Sequence, residues 1–250
     1  MNTNTVAKGP VLILGARSDI ARATAHRFAK AGHPILLAAR QAERLEADRA
    51  DLQVRYGVLA TVHEFDVLAT ESHAAFVDSL PALPEIAVCA VGLLGKQEED
   101  EHDTASAVRV IRTNFEGPAS ILAVLADRFE ERRHGTLVGI SSVAGERGRA
   151  SNYIYGSAKA GFTAYLSGLR NRLAKRGVHV VTVLPGFVDT AMTAGMDLPK
   201  PLTAQPDEIA EAIHRAVSGS RNTIYARRIW QPIMMVIRSI PEGIFKKLSI

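Results

Sequence analysis

Short apolar runs recur along this chain, and the segments between them are long enough to form helices. Apolar runs bounded by glycine, proline or polar residues are typical of buried strands, and their alternation with helices predicts a parallel sheet with right-handed crossovers. We therefore predict one doubly wound α/β domain of about seven strands with helices on both faces. The predicted strands are residues 11–14, 35–39, 58–65, 86–90, 135–141, 178–184 and 223–226.

Helical periodicity is clearest in the second half of the chain. Apolar residues recur with the helical period over residues 152–175, and long helices are also predicted over 104–132 and 207–218. No repeat or linker divides residues 1–226, which we assign to one domain. Residues 227–250 are a basic, apolar C-terminal extension of that domain.

Composition narrows the class of protein. The 250 residues are 47% apolar and 22% charged, and the one cysteine, Cys89, rules out an internal disulfide. No secretory signal and no apolar run of membrane-spanning length is visible, so we expect a cytoplasmic protein. The net charge of +4 lies entirely in residues 227–250, which argues against nucleic-acid binding by the domain. No histidines have ligand spacing, and the acidic run 98–103 is typical of a solvated loop, so no metal is assigned.

A serine, a tyrosine and a lysine have a spacing that suits proton transfer. Tyr155 lies thirteen residues after Ser142, and Lys159 lies four residues after Tyr155. Residues four apart share a helix face, so the ammonium is expected to lower the pKa of Tyr155 from its ordinary value of about 10. Such a phenol can exchange a proton with a carbonyl or alcohol oxygen, and Ser142 would hydrogen-bond the same oxygen. Tyrosine and lysine also occur one turn apart on helices without any catalytic function. Other motifs in the chain are therefore needed to distinguish a catalytic pair from a coincidental one.

The first strand ends in a glycine turn that opens a helix, which is where a dinucleotide-binding fold places the pyrophosphate. Only the first glycine of the turn, Gly15, is present, so a plain strand-to-helix turn is the alternative. Arg40 follows the second strand, where sites that prefer NAD carry a carboxylate for the ribose 2′-hydroxyl. A guanidinium there binds a 2′-phosphate, and Arg17 lies within reach of the same group, so the sequence predicts NADP(H) over NAD(H).

Taken together, these residues resemble the short-chain dehydrogenase/reductase family over nearly the whole chain. The YxxxK motif is Tyr155 to Lys159, the upstream serine is Ser142, and Asn114 matches an asparagine of the long helix. The resemblance implies a Rossmann fold in which Tyr155 is the general acid of carbonyl reduction and Ser142 orients the carbonyl. It implies that Lys159 lowers the tyrosine pKa and binds the nicotinamide ribose, and that Asn114 holds a water of a proton relay. It also implies a homodimer or homotetramer formed through two long helices.

The same resemblance implies a set of cofactor-binding residues. The carboxylate of Asp66 would contact the adenine, and the element that begins at Pro185 would lie beside the nicotinamide. Two motifs depart from the family, since Asp19 and Ala21 replace two glycines and the family's NNAG is Cys89-Ala90-Val91-Gly92. A carboxylate at Asp19 would weaken pyrophosphate binding unless it points away as a helix cap. The predicted residues are Gly15, Arg17, Ser18, Asp19, Ile20, Arg40, Asp66, Val67, Ala90, Gly92, Tyr155, Lys159, Pro185, Gly186, Val188 and Thr190.

Residues 90–95, 141–161 and 234–250 are similar to a narrower group within the family. Members of that group reduce a 2-keto-pentofuranose carried on a polyprenyl phosphate, beside a flavin-dependent oxidase, in arabinan and cell wall biosynthesis. The resemblance implies a lipid-linked keto-sugar as substrate and such an oxidase as partner. Another apolar ketone or alcohol, such as a ketoacyl, steroid-like or retinoid-like compound, is the alternative substrate. A non-catalytic NADP(H)-binding sensor or scaffold is the alternative function.

The C-terminal segment, residues 230–250, mixes apolar and basic side chains. It is too short and too charged to span a bilayer, but it suits a membrane surface, where apolar side chains enter the acyl boundary and basic ones meet anionic headgroups. Pro241 is predicted to break it into two helices. The sequence is compatible with peripheral contact at the inner face of the membrane and with packing over the active site or at a subunit interface.

Overall fold

The computed structural model describes residues 8–248, and its main sheet contains seven parallel strands in the order β3-β2-β1-β4-β5-β6-β9. The predicted fold class is therefore confirmed. Residues 1–7, where no secretory signal is expected, and the last two residues of the C-terminal segment lie outside the described residues. The seven strands are β1 (Val11–Leu14), β2 (Ile35–Ala39), β3 (Ala60–Glu64), β4 (Ile86–Cys89), β5 (Gly135–Ile140), β6 (Val178–Leu184) and β9 (Thr223–Tyr225).

Helices cover both faces of this sheet. A separate two-stranded sheet pairs β7 (Phe187–Val188) with β8 (Thr203–Ala204). The helices are α1 (Asp19–Lys30), α2 (Glu46–Tyr56), α3 (His73–Asp78), α4 (Gln97–Asp100), α5 (Thr104–Ile111), α6 (Gly117–Arg132), α7 (Tyr153–Leu173), α8 (Pro206–Ser218), α9 (Trp230–Ser239) and α10 (Glu242–Phe245).

The core has two layers because successive residues of a strand point to opposite faces of the sheet. In β1, Val11 and Ile13 pack into the layer beneath α1 and α8, together with Phe28 and Ile213. Leu12 and its alternate neighbours pack into the other layer, beneath α3, α6 and α7. Each strand of the centre is thus buried on both faces, which is why the strands read as continuous apolar runs.

Three local features differ from the sequence-based expectation. The helix predicted over 104–132 contains a π-helical turn, Arg112–Glu116, between α5 and α6. Part of the acidic run predicted as a solvated loop forms α4, and its Asp100 is buried and accepts a hydrogen bond from the Lys96 amide at 2.8 Å. The small sheet of β7 and β8 was not predicted, because two-residue strands carry no periodic signal.

The C-terminal segment forms α9 and α10, which are separated by Ile240 and Pro241 as predicted. Within residues 8–248, no helix combines the length and apolar character needed to cross a membrane. The same part of the chain contains no cluster of three or more histidine, cysteine or acidic side chains placed to hold a metal ion.

Candidate active site

A cleft opens at the carboxyl ends of the strands, where β1 lies between β2 and β4 and the strand order reverses direction. This topological switch point is where open α/β sheets bind ligands. The cleft consists of two adjoining cavities of about 390 and 330 Å³, which share Arg17, Ser18 and residues 90–92 in their walls. Every residue predicted from the sequence as part of the site lines one or both cavities, except Asn114.

The larger cavity lies against the turn between β1 and α1. Gly15 has a φ of +80°, and a Cβ there would lie 3.0 Å from the Val91 nitrogen, so both conformation and space require glycine. Ser18 caps α1 by accepting a hydrogen bond from the Ala21 amide at 3.3 Å. The positive end of the α1 dipole therefore points at this cavity, as an anion-binding site needs. The turn fits the pyrophosphate of a dinucleotide although the family's second and third glycines are absent.

Asp19 does not cap its own helix. Its Oδ2 accepts a hydrogen bond from the Ala191 amide at 2.8 Å, at the start of a 3₁₀ turn, Ala191–Thr193, that follows β7. The carboxylate thereby ties the first turn of the fold to the segment on the opposite side of the cleft. The sequence left open whether Asp19 caps a helix. In the structure its carboxylate caps the 3₁₀ turn that begins at Ala191, 172 residues later in the sequence.

Two arginines stand at the outer end of the larger cavity. Arg17 donates from Nη1 to the Arg40 carbonyl at 3.4 Å and to the Gln41 Oε1 at 2.9 Å, while the Arg40 side chain is exposed. The nearest carboxylate of β3, Glu64, accepts hydrogen bonds from the Gln41 and Ala42 amides at 3.1 and 2.8 Å. Those amides occupy the carboxylate, and within residues 8–248 neither Arg17 nor Arg40 forms an ion pair with an acidic side chain. A third arginine, Arg109 of α5, also lines this cavity and was not predicted.

The smaller cavity contains the serine, the tyrosine and the lysine. Lys159 is 3% exposed and donates from Nζ to the Ile140 carbonyl at 3.0 Å, and this Nζ lies 5.7 Å from the centre of the Tyr155 ring. Burial lowers the pKa of the Lys159 ammonium to about 8. The predicted placement of the phenol and the ammonium on one face of α7 is therefore what the structure contains.

The predicted lowering of the tyrosine pKa is wrong in this structure. Burial raises the pKa of Tyr155 to about 12, and a hydrogen bond with Ser142 acts in the opposite direction but is the weaker effect. The spacing of Tyr155 and Lys159 indicated proximity, whereas the cost of burying a charged phenolate depends on the surrounding core, which local spacing does not report. The raised pKa favours the protonated phenol at pH 7.

Ser142 and Asn114 are held by the backbone around the cavity. The Ser142 Oγ accepts from the Ala144 amide at 3.1 Å and donates to the Pro185 carbonyl at 3.5 Å. Asn114 lies in the π-helical turn, fully buried, and exchanges hydrogen bonds with both backbone groups of Leu93 at 3.2 and 2.6 Å. A Cβ on Gly92 would lie 3.3 Å from the Asn114 Oδ1. Asn114 therefore fixes the loop after β4 from behind, and its predicted role in holding a water stays a prediction.

The C-terminal segment forms one wall of the smaller cavity. Trp230 is 4% exposed, donates from Nε1 to the Leu202 carbonyl at 3.2 Å and meets Phe187 edge to face. Its ring lies directly over Gly186. Packing over the site, one of the two arrangements compatible with the sequence, is thus present for α9. Nothing in the sequence indicated that Trp230 would line the cavity, because its contact partners lie tens of residues away.

A family profile described as short chain dehydrogenase matches residues 10–200. An uncharacterized oxidoreductase of Mycobacterium tuberculosis is 37% identical over 242 residues, which cover 96% of each chain. An uncharacterized oxidoreductase of Streptomyces coelicolor is 34% identical over 250 residues and 98% of each chain. Among solved structures, a short-chain dehydrogenase from Sphingobium yanoikuyae in complex with NADPH superposes with a TM-score of 0.81 at 25% identity, covering 94% of this chain and 97% of that one.

Proposed function

The chain belongs to the short-chain dehydrogenase/reductase family and is an NAD(P)-dependent oxidoreductase, and from this premise we propose that it reduces the carbonyl group of an apolar, lipid-linked substrate with NADPH. The observation that carries the proposal is the position of the Tyr155 phenol in the wall of a largely apolar cavity, beside Ser142 and the buried Lys159. A phenol in that position can donate its proton to a ketone oxygen during reduction.

Residues of the larger cavity would hold the cofactor. The Gly15 turn and the amino end of α1 suit the pyrophosphate, and Asp66 lies in the wall where the adenine end is expected. Arg17 and Arg40 would bind the 2′-phosphate of the adenosine ribose, which favours NADP(H) over NAD(H). When bound, NADPH supplies the hydride.

The protein's own residues manage the carbonyl oxygen and the proton. In the proposed reaction the Tyr155 phenol donates its proton to that oxygen as hydride reaches the carbon, and the Ser142 hydroxyl hydrogen-bonds the same oxygen. The Lys159 ammonium would stabilise the phenolate left behind and would hydrogen-bond the ribose of a bound cofactor. Asn114 acts by holding the loop after β4 beside Lys159.

A keto-sugar carried on a polyprenyl phosphate is the substrate we propose. Three stretches are similar to the reductase of decaprenylphosphoryl-2-keto-erythro-pentose, and two of them, residues 90–95 and 141–161, supply walls of the smaller cavity. That cavity has the apolar surface that a prenyl chain requires, contributed by side chains such as Phe187, Met192, Met196 and Trp230. In that role the chain would work beside a flavin-dependent oxidase that makes the ketone. Another apolar ketone is the second candidate, supported by the same apolar walls.

The outward face of the C-terminal segment supports peripheral membrane contact. Met235 and Val236 of α9 are 66% and 62% exposed, and Ile244 of α10 is 57% exposed, beside the exposed Lys246 and Lys247. Apolar side chains flanked by cations suit an anionic lipid surface. A double substitution, Met235→Asp with Val236→Asp, leaves the buried Trp230 and Met234 in place and should abolish cosedimentation with anionic liposomes. Equal sedimentation of the variant and the wild type would refute the membrane contact.

Self-association is the other contact we propose. Val108 and Ile111 of α5 are 46% and 38% exposed, and Tyr153 at the start of α7 is 46% exposed. These side chains border the two long helical segments that resemble the family's dimer-forming pair. Light scattering after size-exclusion chromatography should give a dimer or tetramer for the wild type, and Val108→Glu should shift the mass towards the monomer.

The function is tested by NADPH oxidation on addition of a short-chain polyprenylphosphoryl 2-keto-pentose, with NADH as the parallel cofactor. Turnover with NADPH and little with NADH would support reaction, cofactor and substrate together. Tight NADPH binding without turnover of this ketone, but with turnover of a ketoacyl or steroid-like ketone, would mean that the substrate belongs to that other class. Binding without turnover of any ketone would favour the NADP(H) sensor.

A further inference from the structure

The loop between β5 and α7 brings to the smaller cavity one arginine that has no partner of opposite charge within residues 8–248. Arg149 lines this cavity together with Asn152 and the Tyr155 phenol. Its Nε is buried and makes no hydrogen bond within residues 8–248. A buried donor left without a partner is costly, so such a group in a cavity wall points to a ligand.

Two charged side chains close in sequence to Arg149 contact the C-terminal helices. Arg147, two residues earlier, pairs with Glu242 at 2.6 Å and stacks 4.1 Å above the Phe245 ring, which fixes the loop to α10. Glu146 accepts hydrogen bonds from the Tyr225 hydroxyl at 2.8 Å and from Arg238 at 3.3 Å. Both contacts are to Oε1, whereas the Glu146 Oε2 is buried without a hydrogen-bond partner within residues 8–248, and no ion pair joins Glu146 to Arg149 in that part of the chain. Burial lowers the pKa of the Arg149 guanidinium, yet a guanidinium stays charged in proteins.

Asn152 is the second polar group at this position. It occupies the N-cap position of α7, where asparagine usually accepts a hydrogen bond from the first turn, but here its side chain makes no capping bond. Its Oδ1 is buried and unpartnered within residues 8–248. The amide thus faces the cavity at the positive end of the dipole of a 21-residue helix. The Arg149 guanidinium and the helix dipole favour negative charge at one point of the cavity, where the Asn152 Nδ2 is a further donor and its Oδ1 can accept from a hydroxyl of the same ligand.

We propose that Arg149 and Asn152 form a subsite for an anionic group of the substrate, such as a phosphate ester, next to the carbonyl that Tyr155 protonates. This inference rests on the proposed reductase function and deepens it, because it names a feature of the substrate. Neither residue was predicted as part of the site from the sequence. A 2-ketose with a phosphodiester on C1 meets the requirement, since its phosphorus lies three bonds from the carbonyl carbon. A neutral ketone, such as a steroid-like compound, does not.

The test is a binding titration that does not depend on turnover. Trp230, which is the only tryptophan of the chain and lines the same cavity, reports binding through its fluorescence. The wild type saturated with NADP⁺ is titrated with octyl phosphate, octanoate and octanol, which share a chain and differ in the head group. We expect an anionic head to bind at least tenfold tighter than octanol, which corresponds to about 1.4 kcal/mol. The phosphate and carboxylate arms decide which anion the subsite prefers.

Three variants separate the subsite from general attraction of anions. Arg149→Gln should remove the preference for the anionic head, and Arg149→Lys should retain part of it. Arg215→Gln, which removes the same charge from a 71% exposed position on α8 outside the cavity, should bind like the wild type. An unchanged preference in Arg149→Gln, or no preference in the wild type, would overturn the subsite. Loss of ketone reduction in every assay would overturn the proposed function but would leave this binding result standing.

Discussion

A methyl group added at Gly186 tests whether the C-terminal segment forms a wall of the cleft. The φ of Gly186 lies outside the left-handed region, so alanine is compatible with the backbone. However, a Cβ there would lie 1.9 Å from both the Cε2 and the Nε1 of Trp230, and ordinary contact begins at 3.4 Å, so the ring must retreat by about 1.5 Å. That movement strains the Trp230 hydrogen bond to Leu202, which is 3.2 Å long.

The expected cost of Gly186→Ala follows from overpacking. Forcing extra atoms into a packed site costs about 1–3 kcal/mol, and each kcal/mol lowers the melting temperature of a protein of this size by about 2–4 °C. We therefore expect the melting temperature to fall by about 2–12 °C, with a red shift of the tryptophan emission as the ring loses its buried position. Differential scanning fluorimetry and emission spectra measure both quantities.

The matched control is Gly148→Ala, because a Cβ at Gly148 has no atom within 4 Å. This variant should keep the melting temperature and emission of the wild type. In a Trp230→Phe background the added methyl should cost less than in the wild type, since the smaller ring leaves room. If Gly186→Ala melts and emits like both the wild type and Gly148→Ala, the packing of Trp230 on Gly186 is refuted.

Three further perturbations address the cofactor and the proton. Arg40→Asp replaces attraction of a 2′-phosphate by repulsion and should raise the KM for NADPH about 30-fold or more, with little change for NADH. The exposed Arg44→Asp is its control, and an unchanged NADPH/NADH preference would contradict the assignment. Asp19→Asn keeps an acceptor for the Ala191 amide but removes a negative charge near the expected pyrophosphate position. The Kd for NADPH should therefore fall about threefold at low salt. An equal Kd would mean that the carboxylate does not act on the cofactor. The Lys159 ammonium has a pKa of about 8 and loses its charge above it. We therefore expect kcat/KM for reduction to decrease as the pH rises through about 8, and a flat profile from pH 6 to 9.5 would show that the charge is not needed.

The fold was predictable from sequence because the strands of a doubly wound sheet are buried on both faces. Val11–Leu14 and Ile35–Ala39 are fully apolar for that reason, and helices of ordinary length separate them. The two-residue strands β7 and β8 escaped prediction because so short a run has no period. The π-helical turn around Asn114 escaped because one extra residue in a helical turn barely changes the pattern of apolar residues.

Some residues of the candidate site were predictable from local sequence patterns, and others were not. Residues carried by a motif, such as Gly15, Tyr155 and Lys159, were identified because fixed spacings on one strand or helix bring them together. Trp230 and Arg149 were not, because their importance depends on tertiary neighbours, a glycine in one case and the lack of an acidic partner in the other. The prediction of a lowered pKa for Tyr155 was wrong for the same reason, since burial is a property of the whole fold.

Single-turnover reduction by Tyr155→Phe tests the central claim most directly. The variant loses one hydroxyl and keeps the ring, so NADPH should bind with the Kd of the wild type. We expect the rate of NADPH oxidation in the presence of a reducible ketone to fall by about 10²–10⁴-fold, the usual contribution of a general acid. Undiminished turnover in a variant that binds NADPH normally would contradict the account, because another group would then have to deliver the proton.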